Sequence, residues 1–377
     1  MIETIPNGDP CRRDEATMKE WNGILNTQTS YQPTDWNLPD QTVLFDIETT
    51  GLSPKNSMLY FIGFCYYRDS VWHYRMLFND DSHSEHKILQ TFLDILTSET
   101  TLVHYNGDSF DLPYLTVKCE QYASLGLPLT GAAKLQDCTS LDLYKVIQPY
   151  RNGLSLPNLK LQTLEQAMHI SRSDHTHGGE LIRVYHAYEH SGDARLEQIL
   201  FQHNFDDVQA MIPLLQLLSF RFLSQGLWIL QHTEDLGTTF CLSFCLTHAL
   251  PLEYTLSASS YRLTGSNTSF TCQLPVKSGE LRYYLPDWKD YYYLPVEDTV
   301  IHKSIAAYVD SPYKERAKKQ NAYIKKSSRF LPYPGKKAPT PLHLYHTDEK
   351  GSDAYIDLAE LVHCQPAFWD AYIKQLL

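Results

Sequence analysis

The chain has 377 residues, of which 43% are hydrophobic and 20% charged, and a formal net charge of −12. This composition is typical of globular proteins and excludes a wholly disordered, collagen-like or coiled-coil chain. The acidic balance excludes a general nucleic-acid coat protein, so a polyanion would need a local basic surface or bound metal ions. No apolar run reaches the ~18 residues of a membrane span, and the scattered cysteines form no CxxC pair. We therefore expect a cytoplasmic protein without a membrane partner.

Residues 1–40 are predicted to be a polar extension with one helix near 14–25. A dense α/β pattern follows, in which short β-rich runs indicate strands and apolar stripes indicate helices. The predicted strands are 42–47, 58–67, 70–78, 100–105 and one within 135–143, and the predicted helices are 84–96, 111–125 and several within 156–223. This order predicts an α/β domain over residues 41–223, with a mixed five-stranded sheet flanked by helices.

The pattern of apolar and polar residues changes after residue 224, which predicts a second, α+β domain over 224–377. Its predicted strands are 238–248, 257–263 and 280–285, and its predicted helices are 298–309 and 352–363.

Two acids end the first strand of the α/β domain. Asp46 and Glu48 are two residues apart, so strand alternation directs both side chains to one face while Ile47 points the other way. Two carboxylates on one face repel each other unless a cation lies between them. The alternative is a pair of solvated acids, which the apolar run 43–45 before them disfavours.

Two later segments carry further candidates. Asp111 follows the strand over 100–105 and opens a helix, where it is either a metal ligand or a helix cap. His203 and Asp207 are four residues apart on a helix and share one face. Taken alone, this last segment favours a core histidine beside a solvated acidic turn.

Together these segments resemble the DEDD exonuclease superfamily of the ribonuclease H-like fold. The run Phe45-Asp46-Ile47-Glu48-Thr49-Thr50-Gly51-Leu52 is similar to the first motif of that family at every defining position. Asn106 with Phe110-Asp111 is similar to the second motif, and His203 to Asp207 is similar to part of the third. The resemblance covers about residues 41–223, and segments 156–164, 178–180 and 203–208 look most like the YprB-like branch.

The resemblance implies 3′→5′ removal of nucleoside 5′-monophosphates from single-stranded DNA or RNA, with two Mg²⁺ or Mn²⁺ ions. We expect Asp46 to bridge the ions, Glu48 and Asp207 to hold the one that activates water, and Asp111 to support the other. Thr50, Leu52 and Asn106 are the implied contacts to the substrate.

The third motif departs from the family pattern. The family places either Tyr with three intervening residues or His with four before the last Asp, whereas His203 has three. His203 is therefore either the general base, for which a pKa near 6.5 is suited, or a group that only orients the attacking water.

A basic stretch lies in the C-terminal domain. Residues 314–337 contain nine Lys or Arg residues against Glu315 alone, with aromatic residues interleaved. Lys318, Lys319, Lys325, Lys326 and Arg329 are the candidate contacts to a nucleic-acid strand. A solvated helix and loop is the alternative.

The sequence is compatible with three hypotheses of function. An active exonuclease is the first, a nucleic-acid-binding protein with a weak or inactive site is the second, and an endonuclease on structured nucleic acid is the third. A possible zinc site at His169, Asp174, His175 and His177 has no familiar ligand spacing, so we interpret that segment as structural.

Overall fold

The structure is a computed structural model that describes residues 18–25, 31–174, 176, 178–337, 339–363 and 365–377. The chain divides into two compact units, unit 1 with residues up to 151 and 156–218, and unit 2 with residues 152–155 and 219–377. Within the described residues, every helix is too short or too polar to cross a bilayer.

Unit 1 contains six strands and seven α-helices in its described part, and helix α8, which belongs to unit 2 from residue 219 on, follows them. They are β1 Lys19–Leu25, β2 Thr42–Thr49, β3 Leu59–Arg68, β4 Val71–Phe78, α1 Glu85–Asp94, β5 Thr101–His104, α2 Asp111–Ser124, α3 Lys134–Asp137, β6 Thr139–Asp142, α4 Leu143–Ile147, α5 Leu161–Ala167, α6 Gly178–Ser191, α7 Ala194–Leu214 and α8 Leu218–Gln225.

The sheet of unit 1 has the order β1-β4-β3-β2-β5-β6. The pairs β1–β4, β4–β3 and β3–β2 are antiparallel, and the pairs β2–β5 and β5–β6 are parallel. The predicted mixed sheet flanked by helices is confirmed, but it has six strands where we predicted five.

The additional strand comes from the N-terminal extension. We predicted a helix over 14–25, whereas Lys19–Leu25 is a strand paired with β4, and residues 14–17 lie outside the described part. Trp21 stacks on Phe61 and contacts Phe78 and Phe201. Pairing with the edge of β4 and these aromatic contacts make the segment a strand, because the intrinsic helix propensity of so short a segment is weak.

Strand alternation in β2 separates the two faces of the sheet. Val43, Phe45 and Ile47 pack with residues of α1 and α2 in one core cluster. A second core cluster contains other side chains of β3 and β4, which pack with residues of α6 and α7. Helix α7 contacts β2 and β3 directly. The alternate residues of β2, which are Asp46 and Glu48, are thereby directed to the α7 side.

Unit 2 is richer in strands than we predicted. Its elements are β7 Trp228–Asp235, β8 Thr239–Ser257, β9 Arg262–Pro275, β10 Lys277–Tyr284, β11 Tyr291–Leu294, β12 Thr299–His302, α9 Lys303–Ala306, β13 Glu315–Arg316, β14 Tyr323–Tyr333, β15 Ala354–Asp357 and α10 Pro366–Lys374, arranged with three three-stranded sheets.

The two helix predictions for unit 2 are wrong over most of their length. The segment 298–309 begins as strand β12 and becomes helical only at α9. The segment 352–363 contains β15, which pairs with β14, followed by a 3-10 helix. In β15, Ile356 and Asp357 are buried against the neighbouring strand, so long-range pairing outweighs the local helical pattern.

Candidate functional site

Helix α7 places three polar side chains opposite the acids of β2. The Nε2 atom of His203 lies 3.4 Å from Glu48 Oε1 and 3.4 Å from Asp207 Oδ2. Asn204, between them in the sequence, donates from Nδ2 to Asp46 Oδ2 at 2.8 Å. One donor atom from each of Glu48, His203 and Asp207 lies within 4.8 Å of the other two. The predicted residues of strand and helix therefore converge.

The approach of Asn204 to Asp46 depends on a glycine in β3. Gly63 is the Cα partner of Asp46 across the β2–β3 pair. A Cβ atom at Gly63 would lie 2.0 Å from Oδ1 of Asn204, so any larger residue would displace the amide. That Oδ1 atom is buried and has no hydrogen-bond partner among the described residues. The amide is therefore held in the site by its contact with Asp46.

Asp111 reaches the same region from helix α2, which follows β5, the neighbour of β2 on the edge opposite to β3. It is the first residue of α2, whose cap position is Phe110, and the Ile47 N–H donates to its Oδ1 at 3.3 Å. Ile47 stands between Asp46 and Glu48, so this bond fixes Asp111 next to the acid pair. Asp111 is buried, and it lies outside the tight group formed by Glu48, His203 and Asp207.

A segment before α6 contributes two charged side chains that we did not predict for the site. Arg172 Nη2 lies 2.5 Å from Asp207 Oδ1, and its Nη1 donates to Glu165 at 2.9 Å. Asp174 Oδ2 lies 2.6 Å from His203 Nδ1. The backbone amides of residues 173 and 174 donate to Asp206 on α7. This segment is therefore attached to α7 at the point where the site lies.

The Asp174 contact joins this segment, which we interpreted as structural, to a candidate site residue. His175 and His177, which we considered with it as zinc ligands, lie outside the described residues. No sequence pattern singled out Arg172, and its position is visible only in three dimensions.

Burial raises the pKa of all four carboxyl groups. Burial and repulsion from Asp207, Asp111 and Glu48 raise the pKa of Asp46 well above its usual range. Burial raises the pKa of Glu48 to about 7 and that of Asp111 to about 7. The pKa of Asp207 is raised for the same reason, against the attraction of His203 and Arg172. The site therefore has less positive charge than its carboxylates require.

The pKa of the His203 imidazole is also raised, but by its neighbours and not by burial. Burial lowers the pKa of His203, but attraction to Asp207, Glu48 and Asp174 outweighs it, so the pKa is raised above its usual value. Without a cation, the ring therefore supplies part of the missing positive charge.

A second group of acids and a histidine lies beside Asp111. His104, Asp108 and Asp142 each offer one atom within 4.8 Å of the others. His104 Nε2 lies 2.8 Å from Ser140 Oγ, its Nδ1 accepts from the Gly107 amide, and Asp108 pairs with Lys145. Because the donor atoms of His104 and Asp108 are already engaged, we interpret the group as support for the loop that carries Asp111.

The predicted substrate contacts in unit 1 lie at the ends of β2 and β5. Thr50 is half-buried and its Oγ1 accepts from the Met58 amide, whereas Leu52 is 86% exposed. Asn106 has a φ of 63°, and its backbone N–H donates to Asp142 Oδ1 at 2.8 Å. Of these side chains, Leu52 is the most accessible to a ligand.

The basic residues predicted in unit 2 are mostly neutralised within that unit. The ion pairs are Lys319 with Glu349, Lys325 with Asp298 and Glu280, Lys326 with Asp357 and Glu360, and Arg329 with Asp235. Lys318 is exposed and forms no ion pair with the described residues. A nucleic-acid track over these residues stays a prediction, with less free charge than the sequence suggests.

Comparison with known proteins identifies the first domain. Residues 43–219 match the family model of the RNase H superfamily. The family B DNA polymerase from the archaeon Pyrobaculum calidifontis is similar in structure at 13% identity and a TM-score of 0.38, over 89% of this chain and 45% of that chain. E. coli Exonuclease I, in complex with a dT13 oligonucleotide, is similar at 13% identity and a TM-score of 0.33, over 59% and 54%.

The chain spans about half the length of these two structures, and no curated protein matches it in sequence. The predicted ribonuclease H-like fold is confirmed, while the YprB-like branch stays a prediction. Over residues 43–219, a little under half of its length, the chain is similar to the RNase H superfamily.

Proposed function

We propose that the RNase H-like domain is a metal-dependent 3′→5′ exonuclease of the DEDD type, which releases nucleoside 5′-monophosphates from single-stranded nucleic acid. One observation carries the proposal. Asp46, Glu48, Asp111 and Asp207 come from three separate elements and repel one another in a buried site. Such repulsion is costly unless the site serves to bind cations.

The donor set fits hard divalent cations. Carboxylate oxygens predominate, with one imidazole nitrogen and no sulfur, which suits Mg²⁺ or Mn²⁺. Glu48 and Asp207 would hold one ion, Asp111 would support a second, and Asp46 would contribute to both. When bound, the ions would supply activation of water and neutralisation of charge on the phosphate and the leaving oxygen.

The surrounding residues hold these carboxylates in position. Asn204 donates to one oxygen of Asp46 and so fixes the orientation of that carboxylate. Arg172 does the same for Asp207, and the Ile47 amide does so for Asp111. Ligands that are fixed before binding lose less conformational entropy when the ion and substrate arrive.

The proposed site for the terminal nucleotide is the exposed end of β2. Leu52 presents an apolar surface there, on which a base can stack, and Thr50 precedes it in the turn. This part of the proposal rests on the family resemblance of the first motif.

The test uses end-labelled single-stranded DNA, single-stranded RNA and duplex oligonucleotides, with Mn²⁺, with Mg²⁺ and with EDTA. Metal-dependent release of mononucleotides from a 3′ end is the expected result. Asp46→Asn should abolish it, while the matched control Asp69→Asn, in the exposed β3–β4 turn, should not. Products longer than one nucleotide would indicate an endonuclease, and binding without hydrolysis would indicate a nucleic-acid-binding protein; either would overturn the proposal.

A further inference from the structure

Each of three site residues directs one atom to a shared point and holds its other atom on a neighbouring group. The shared atoms are Glu48 Oε1, His203 Nε2 and Asp207 Oδ2, with Nε2 at 3.4 Å from each oxygen. Two ligands bound about 2.0–2.2 Å from one ion lie roughly 3.0–3.5 Å apart. The spacing of the imidazole to both carboxylates therefore matches that of ligands to a single cation.

The outer contacts orient all three side chains. The Tyr60 hydroxyl lies 3.5 Å from the second oxygen of Glu48, and Arg172 binds the second oxygen of Asp207. Asp174 lies 2.6 Å from Nδ1 of His203. A histidine that binds a metal usually donates its other ring N–H to a carboxylate, which fixes the tautomer and increases the basicity of the ligating nitrogen.

The position of His203 is poorly suited to a freely exchanging base. Its side chain is 8% exposed, and Nε2 is directed between two carboxylates. No hydrogen bond from Nε2 to any described residue competes with a ligand there. The three-residue spacing before Asp207, unusual for a family histidine, places this nitrogen level with the carboxylate on the same face of α7.

We propose that His203 Nε2 is a metal ligand, together with Glu48 and Asp207, and that it makes this centre select a first-row transition cation such as Mn²⁺ over Mg²⁺. The inference rests on the proposed function, and it names the ligands of one of the metal ions that the function requires. Imidazole suits transition metals, whereas Mg²⁺ binds carboxylate, carbonyl and water oxygens. In the same assignment, Asp174 is a positioning residue that orients the ring.

Pulsed electron paramagnetic resonance of the Mn²⁺-loaded full chain tests the assignment directly. Nitrogen-14 modulation from a coordinated imidazole is expected in the unaltered protein and in the control His186→Gln, which changes an exposed histidine of α6. His203→Gln should lose the modulation. A bound Mn²⁺ without nitrogen modulation in the unaltered protein, or modulation that persists in His203→Gln, would overturn the assignment.

Titration of the metal-free proteins supplies a second measurement. His203→Gln should weaken Mn²⁺ binding at least tenfold and Mg²⁺ binding less than about threefold. Asp174→Asn should keep the nitrogen signal and weaken Mn²⁺ binding about 10–100-fold, as expected for loss of the group that orients a ligand. Equal loss for both ions would contradict selection by the imidazole.

The two proposals fail in different ways. Mn²⁺ binding and mononucleotide release without a nitrogen signal would overturn the ligand role of His203 and leave the exonuclease proposal standing. Absence of both Mn²⁺ binding and hydrolysis would overturn both proposals.

Discussion

Glu48 should destabilise the metal-free protein at alkaline pH. Burial raises the pKa of this carboxyl group from 4.5 to about 7. Each pKa unit corresponds to about 1.4 kcal/mol, so the charged form costs unit 1 on the order of 3 kcal/mol. The side chain is only 16% exposed, so solvent screening removes little of this. Glu48→Gln, which removes the charge and keeps the shape, should therefore stabilise unit 1 at pH 8.

The pH window follows from the direction of the change. Between pH 4.5 and about 7 the folded protein keeps a proton on Glu48 that the unfolded chain has released. The free energy of unfolding therefore falls as pH rises through this window and is constant above it, as far as Glu48 contributes. Burial also raises the pKa of Asp111 to about 7, so Asp111 likewise lowers the free energy of unfolding as the pH rises.

Urea unfolding in EDTA at pH 5 and pH 8 measures the effect, with pulsed amide exchange in β2 and β3 as a readout for unit 1. Glu48→Gln should be more stable than the unaltered protein by about 1–3 kcal/mol at pH 8 and nearly equal to it at pH 5. The control Glu120→Gln, which changes an exposed residue of α2, should differ little at either pH.

Saturating Mn²⁺ should reverse the ranking, because the ion stabilises the folded state that binds it and Gln is the weaker ligand. A Glu48→Gln protein that is less stable than the unaltered protein at pH 8 in EDTA would refute the reasoning. It would mean that the carboxylate is already compensated without a cation.

Three further predictions use other parts of the chain. Asp46→Asn should keep or raise the urea midpoint of the metal-free protein while metal-dependent hydrolysis falls below detection; a lowered midpoint would argue against repulsion among the carboxylates. Gly63→Ala should displace Asn204 from Asp46 and reduce kcat at least tenfold, with KM for an oligonucleotide changed far less, whereas unchanged kcat would show that the amide contact is dispensable. Lys318→Glu should raise KM several-fold with kcat retained and with a weaker salt dependence of binding, while no change in KM would exclude Lys318 from the substrate track.

Much of the site was predictable because its pattern is local. Alternation along β2 directs Asp46 and Glu48 away from the cluster that contains Ile47, and the four-residue spacing on α7 directs His203 and Asp207 to one face. These periodicities belong to the backbone of a strand and a helix. They hold wherever the element packs, so they can be inferred without the fold.

The groups that orient the site were not predictable in this way. Arg172 and Asp174 come from an irregular segment, which has no periodicity to indicate direction. Their contacts with Asp207 and His203 depend on where that segment is attached to α7 through Asp206. We interpreted this segment as structural, and its contact with His203 was not predicted, because distance along the chain carries no information about such contacts.

By itself, the sequence determined the α/β class of unit 1, the identity of its acidic residues and the faces on which they lie, because side-chain spacing follows from backbone geometry. Only the tertiary structure decided that the segment 19–25 is a sixth strand, that basic residues of unit 2 pair with acids of the same unit, and that His203 and Asp207 of the candidate site each have an outer partner. Strand pairing, ion pairing and ligand orientation join residues far apart in the chain, and their free energies exceed the local preferences that a sequence displays.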